Sequence, residues 1–176
     1  LPWDRWLGAD AAFPVTGRSV KSTLHSVPDC QRIVKKAIVE RLKQTHRRDW
    51  FDETGPAYPV AVSLLRDRAV LTIDTSGAGL HKRGYRTFVG KAPLRETLAA
   101  ALVQLSYWNA TRPLADPCCG TGTIPIEAAL LGRQIAPGLG REFAAEQWPQ
   151  LSSQIWEKAR AEARDSIQGA LDTRII

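Results

Sequence analysis

The sequence predicts an α/β chain in two parts: an α+β module over residues 1–88, then residues 89–176 as the opening of a doubly wound, Rossmann-like domain. Three observations carry this. A basic amphipathic helix is followed by an alternating hairpin in the first part, and a strand, a glycine-rich loop and a helix succeed one another from Thr111 to Leu131 in the second. Between them, residues 74–93 hold Gly77, Gly79, Gly84, Gly90 and Pro93, which break any regular element and place the junction near residue 88.

Before residue 28 the pattern is irregular, with turn formers at Gly8, Pro14 and Gly17. Val27-Pro28-Asp29 opens the first helix, with Asp29 expected as its N-cap. Ile33, Val34, Ala37, Ile38 and Leu42 make its apolar face, and Arg32, Lys35, Lys36, Arg41 and Lys43 load the rest with charge. After the turn-rich Asp52–Pro56, apolar residues alternate at Val60, Val62 and Leu64 and return at Val70 and Leu71–Ile73, a β-hairpin turning at Arg66-Asp67.

In the second part Pro93 is expected in the first turn of a helix whose Leu94, Leu98, Ala101, Leu102 and Leu105 recur at helical spacing, ending near Trp108. Thr111–Asp116 reads as a short strand, and Thr123–Leu131 as an apolar helix closed by Gly132. A last helix, capped by Ser152 or Ser153 and buried through Trp156, Ala159, Ala163 and Ile167, leads to Thr173–Ile176, which reads as the start of another strand. Trp3, Trp6, Trp50, Trp108, Trp148 and Trp156 are expected as packing anchors, with Trp148 also a candidate neighbour of the site below.

A hydrophobic fraction of 44% in 176 residues suffices for a packed core. Lysine and arginine total 24 against 18 aspartate and glutamate, a net charge of +6, which favours an anionic partner. No run approaches the roughly 18 apolar residues that span a membrane, and the first residues lack the layout of a signal peptide, so a cytoplasmic protein is the expectation. Cys30, Cys118 and Cys119 show no CxxC spacing, and with three histidines they predict neither a metal site nor a disulfide framework. The chain starts at Leu1 and contains no methionine, and it reads as a fragment.

The stretch Asp116-Pro117-Cys118-Cys119-Gly120-Thr121-Gly122-Thr123 carries the chemistry, because a glycine-rich turn lets a cofactor approach the backbone where a Cβ would clash. A triphosphate-binding loop needs a lysine, and none lies between Lys91 and Lys158. A dinucleotide loop wants three glycines, and only Gly120 and Gly122 are present, with Pro125 just past the place of the third. A carboxylate followed by GxG suits S-adenosylmethionine, which has no phosphate and carries an ammonium, although an ordinary strand-to-helix turn has the same pattern. Cys118 and Cys119 are read as small buried thiols rather than nucleophiles. Glu127, about one turn into the next helix, reads as structural rather than as a general base.

Asp116–Ala129 resembles the DPxCGSGTxxIEAA signature of the THUMP-domain RNA guanine-N2 methyltransferases. Asp74–Arg86 and Ala92–Leu102 are similar to the family's DxSGxxLHKRGYR and APLxETLAAAL blocks, as are Lys21-Ser22, Ser26–Cys30 and Ala136-Pro137-Gly138 with Arg141 and Phe143. The nearest group looks like the 23S ribosomal RNA guanine-N2 enzymes, whose members are often labelled N6-adenine DNA methylases. The resemblance implies a class I methyltransferase fold preceded by a partial THUMP-like RNA-binding module, with S-adenosylmethionine as cofactor. It implies cofactor contacts by Asp116, Pro117, Gly120, Gly122 and Thr123, with Pro93, Leu94 and Thr97 flanking the same pocket. It also raises Lys35, Lys36, Lys82, Arg83, Tyr85 and Arg86 as RNA contacts, the last four combining cations with an aromatic ring for phosphate and base.

Relatives hold the target amine with an Asn/Asp-Pro-Pro-Tyr/Phe motif, which this sequence lacks, so its catalytic residues are unassigned and the 176 residues alone are expected to be inactive. The expected reaction is methylation of a guanine N2 amine in ribosomal RNA. The rivals are adenine-N6 methylation of DNA or RNA, and a non-catalytic RNA-binding or ribosome-assembly protein that keeps the fold.

Overall fold

The computed structural model describes residues 1–87 and 92–176. Its chain forms two compact units: Leu1–Gly77 with Phe143–Leu151, and Ala78–Glu142 with Ser152–Ile176. The junction expected near residue 88 falls on residues 88–91, outside the described residues.

The first unit is a three-stranded mixed sheet with one long helix. Strand β1 (Val15–Val20) leads to α1 (Val27–His46), then β2 (Val60–Leu65) and β3 (Arg68–Ile73), in sheet order β1-β2-β3. β1 runs parallel to β2, and β2 antiparallel to β3 in the register Val60↔Ile73 to Leu65↔Arg68. The hairpin is the expected one, and Arg66 and Asp67 turn it at φ 48° and 61°, as a two-residue turn of right-handed strand twist requires. β1 was not expected, because Gly17 reads as a turn former. A Cβ there would stand 3.0 Å from Val62 Cγ1 and 3.1 Å from Gln31 Cγ, so the glycine marks where α1 lies close against the sheet.

Ser26, not Asp29, occupies the N-cap of α1. Its hydroxyl donates to Asp29 Oδ2 at 2.5 Å, which leaves Asp29 in the first turn, where its charge opposes the helix dipole favourably. Ile38 and Leu42 are fully buried, whereas Ile33 and Ala37 of the expected apolar face are exposed. Phe13, Leu7, Tyr58, Val60, Val62 and Leu64 complete this core with Trp148, whose ring stacks on Tyr58 at 4.5 Å. Trp148 Nε1 donates to the Ala57 carbonyl and the Tyr58 hydroxyl to Gln150 Oε1, both at 2.9 Å. Trp148 is thus an anchor of the first unit. Trp6 and Trp50 are exposed and anchor nothing.

The second unit holds α2 (Glu96–Leu105), α3 (Thr123–Gly132) and α4 (Ser153–Asp165). Pro93 lies outside α2, whose N-cap is Arg95. α2 packs on α3 through its small residues, burying Ala99, Ala100 and Val103 and leaving Leu98, Ala101, Leu102 and Leu105 exposed. The leucine spacing therefore points to the wrong face, since close approach of two helices favours the alanines. The expected strand at 111–116 shortens to a parallel bridge Leu114↔Ile175, extended by Asp116 N donating to the Ile176 carbonyl at 2.7 Å. Ser152 caps α4, but no residue of that helix is buried: Trp156 and Ala163 are half-buried, as is Ile167 beyond it, and Ala159 is exposed. Among the described residues no helix is long and apolar enough to cross a membrane, and no three His, Cys, Asp or Glu side chains group as a metal site.

Candidate functional site

At the end of the parallel bridge the chain turns from Asp116 into α3. Cys118 N donates to Asp116 Oδ1 at 3.1 Å, and Gly122 N to the Cys119 carbonyl at 2.8 Å. Gly120 and Gly122 adopt φ 54° and 75°, and Gly122 is the N-cap of α3. A Cβ on Gly120 would meet nothing closer than the Cys118 carbonyl oxygen at 4.0 Å, so this glycine serves the left-handed backbone and leaves open space above it.

That space is a cavity of about 290 Å³. Asp116, Gly120, Thr123, Pro93 and Leu94 all line it, joined by Ala92, Cys118, Cys119, Thr121 and Ile124, which the sequence did not single out as contacts. Pro117, Gly122 and Thr97 are not on its wall, and Thr97 is exposed in the first turn of α2. The thiols expected to be buried are exposed, because the whole turn Pro117–Thr121 projects from the unit.

One guanidinium joins the two sides of the cavity. Arg86 Nε donates to Glu96 Oε1 at 2.7 Å, Nη2 to Thr123 Oγ1 at 2.9 Å and to the Leu94 carbonyl at 3.2 Å, and Nη1 to Thr121 Oγ1 at 3.3 Å. Behind it Glu127 has no exposed surface; the Tyr85 hydroxyl donates to its Oε1 at 2.8 Å, and Arg83 Nη1 lies 2.7 Å from its Oε2. Burial pushes the Glu127 carboxyl above its ordinary value against the hydrogen bond from Tyr85 and the charge of Arg83. Burial also raises Tyr85, as does its acceptor Glu127. Glu96 goes the other way: burial would raise it, but its own backbone N–H and Arg86 outweigh that and hold it below the usual range.

The geometry gives three of the expected RNA contacts partners within the chain. Arg83, Tyr85 and Arg86 do not form an outward strip of cations and aromatic; they brace buried carboxylates. Glu127 lies 42 residues from Tyr85 and further still from Arg83, beyond the reach of local pattern. Lys82 is exposed. In the first unit Lys35 is held by Glu53 at 2.5 Å and by the Phe13 carbonyl at 3.0 Å, with Nζ 3.7 Å from the Phe13 ring centroid, and Lys36 is exposed.

Chemically, the cavity offers one carboxylate, two threonine hydroxyls, two thiols, left-handed backbone and the apolar Pro93, Leu94 and Ile124. Among the described residues no lysine or arginine lines it, and the Asp116 carboxylate suits a ligand that carries a cation.

Residues 83–175 match the family described as RMKL-like methyltransferase domain, and residues 1–74 match the THUMP domain. The chain is 57% identical over 167 residues to "Putative RNA methyltransferase YpsC" of Bacillus subtilis, covering 94% of this chain and 43% of that protein. It is 40% identical over 170 residues to the ribosomal RNA large subunit methyltransferase K/L of Aliivibrio salmonicida, covering 93% of this chain and 24% of that protein. The chain therefore spans less than half the length of these relatives. A crystal structure described as a "predicted N6-adenine-specific DNA methylase" from Listeria monocytogenes superposes with a TM-score of 0.93 at 56% identity, over 99% of this chain and 47% of the other. A further structure, "a putative methyltransferase complexed with SAH", gives 0.91 at 44% identity, over 99% and 47%.

Proposed function

We infer, since the chain belongs to the RMKL-like methyltransferase family and carries a THUMP domain ahead of that region, that its protein is an S-adenosylmethionine-dependent RNA methyltransferase acting on a guanine N2 amine of ribosomal RNA. The observation that carries this reading is the Asp116–Thr123 turn, with Asp116 and left-handed Gly120 on the wall of one open cavity. The residues fit the methionine end of the cofactor: the Asp116 carboxylate would hold its ammonium, and the open backbone at Gly120 would let it approach. A volume of about 290 Å³ lies just below the range of about 300–1,000 Å³ for small-molecule sites, room for one end of that ligand. Bound there, the cofactor supplies an activated methyl group. Arg86 fixes the distance between Leu94–Glu96 and Thr121–Thr123, and Cys118 N–H orients Asp116.

The description of the Listeria structure favours a second reading, adenine-N6 methylation of DNA. Calorimetric titration of the whole protein and its Asp116→Ala variant with S-adenosylhomocysteine tests the cofactor assignment: native binding weakened at least tenfold by the substitution supports it, and no binding by folded native protein refutes it. Nucleoside analysis after incubation with ribosomal RNA or with DNA separates the readings. N2-methylguanosine from RNA supports the first, and N6-methyladenine from DNA the second.

A further inference from the structure

A second hollow of about 460 Å³ adjoins the cofactor cavity, and Pro93 and Leu94 belong to the walls of both. The charged side chains on the rest of its wall are mostly basic, Lys82, Arg83, Arg86 and Arg95 against the single carboxylate of Glu96 among the described residues, with His81 and Gly84 completing it. Arg86 is matched by Glu96 and Arg83 by Glu127. Lys82 and Arg95 are exposed, and among the described residues neither meets a carboxylate. Four permanent cations against Glu96 and Glu127 leave two positive charges in excess, with His81 beside them.

One donor behind this wall is unsatisfied. The Arg83 side chain is only 10% exposed, and its Nε has no hydrogen-bond acceptor among the described residues. A buried guanidinium N–H without an acceptor is costly to the fold. Glu127 holds the guanidinium from one side through Nη1, so the group is fixed before any ligand arrives. The cofactor cavity, by contrast, has no lysine or arginine on its wall among the described residues. Two neighbouring hollows of opposite character thus share two consecutive residues.

We propose that this hollow is a phosphate subsite, taking one backbone phosphate of a single-stranded RNA segment beside the nucleotide presented to the cofactor cavity. Lys82 and Arg95 supply the unneutralised charge, and the Arg83–Glu127 pair holds the wall behind them in place. Arg86 and Glu96, matched to each other, shape the partition toward the cavity. The inference rests on the methyltransferase reading, and it adds a site and residues, His81 and Arg95 among them, that the resemblance did not supply.

The test uses the whole protein and its Lys82→Ala and Arg95→Ala variants, each titrated with a fluorescent single-stranded RNA at several salt concentrations and separately with S-adenosylhomocysteine. Each substitution is expected to weaken RNA binding and to reduce the slope of log affinity against log salt by about 0.7, the loss of one single-strand phosphate contact, with S-adenosylhomocysteine affinity unchanged. RNA binding with an unaltered slope in both variants overturns the subsite while leaving the cofactor reading intact. A loss confined to S-adenosylhomocysteine also overturns it, since the cations would then serve the cofactor. Native protein that binds no S-adenosylhomocysteine removes the underlying reading, and the subsite falls with it.

Discussion

The guanidinium of Arg83 and the carboxylate of Glu127 form an ion pair of 2.7 Å in which Glu127 has no exposed surface and Arg83 only 10%. The pair fastens the segment that opens the second unit to α3, and Tyr85 adds a hydrogen bond to the same carboxylate. Removing one member of such a pair strands the other charge in a poorly solvated place, at about 3–5 kcal/mol. Glu127→Gln and Arg83→Met are each expected to lower unfolding stability by about that much in urea denaturation. The double variant Arg83→Met/Glu127→Leu should lose clearly less than the two single losses together; strictly additive losses would show that the pair is not coupled.

The two buried carboxylates beside the cavity respond to pH in opposite senses. Glu96 has its folded value below the ordinary 4.5, so its stabilising contribution is complete above that value and disappears as pH falls through the lowered folded value. Glu127 has its folded value above 4.5, so its contribution is complete below 4.5 and is lost as pH rises through the raised value. Glu96→Gln should therefore flatten the acid limb of the stability profile below pH 4.5. Relative to the native protein, Glu127→Gln should gain as pH rises above it. Unfolding midpoints taken at three pH values across this range decide both.

Two left-handed glycines separate conformational strain from collision. At Gly120 an added methyl finds open space, so Gly120→Ala is expected to cost only the left-handed penalty of about 1–2 kcal/mol and to leave a folded protein. At Gly84, with φ 90°, the methyl would run into the carbonyl oxygen of Gly140. Gly84→Ala should therefore destabilise more than Gly120→Ala; equal melting shifts would contradict the close approach of these two backbones.

In the first unit Trp148 is buried against Tyr58 while Trp50 is 78% exposed. Trp148→Ala is expected to cost about 3–5 kcal/mol, and Trp50→Ala to stay within about 0.5 kcal/mol. Denaturation curves of the two variants, recorded side by side, check the assignment.

What could be read from the sequence followed local pattern. The hairpin, the body of α3 and the Asp116–Thr123 turn all have signals confined to ten or so neighbouring residues, and each lies where it was expected, although α3 takes in Gly132 and is capped by Arg133 instead. β1 was missed because a glycine needed for helix approach looks like a glycine needed for a turn. The buried face of α2 was missed because leucines dominate any count of apolar spacing, while the contact with α3 selects alanines. At the site, Asp116, Gly120, Thr123, Pro93 and Leu94 came together on one wall, but the fate of Arg83, Tyr85 and Arg86 depended on carboxylates distant in sequence. A cation is legible in a sequence, and its partner is not.

The return of Phe143–Leu151 to the first unit bears on how the protein is born. Trp148 donates to a carbonyl 91 residues earlier in the chain. At a synthesis rate of about 5–20 residues per second, residues 1–77 leave the ribosome several seconds before the tryptophan that completes their core. During that interval Tyr58 has no ring to stack on, and the first unit waits half-built while the second is being made. The core of the first unit is therefore complete only after much of the second has been made.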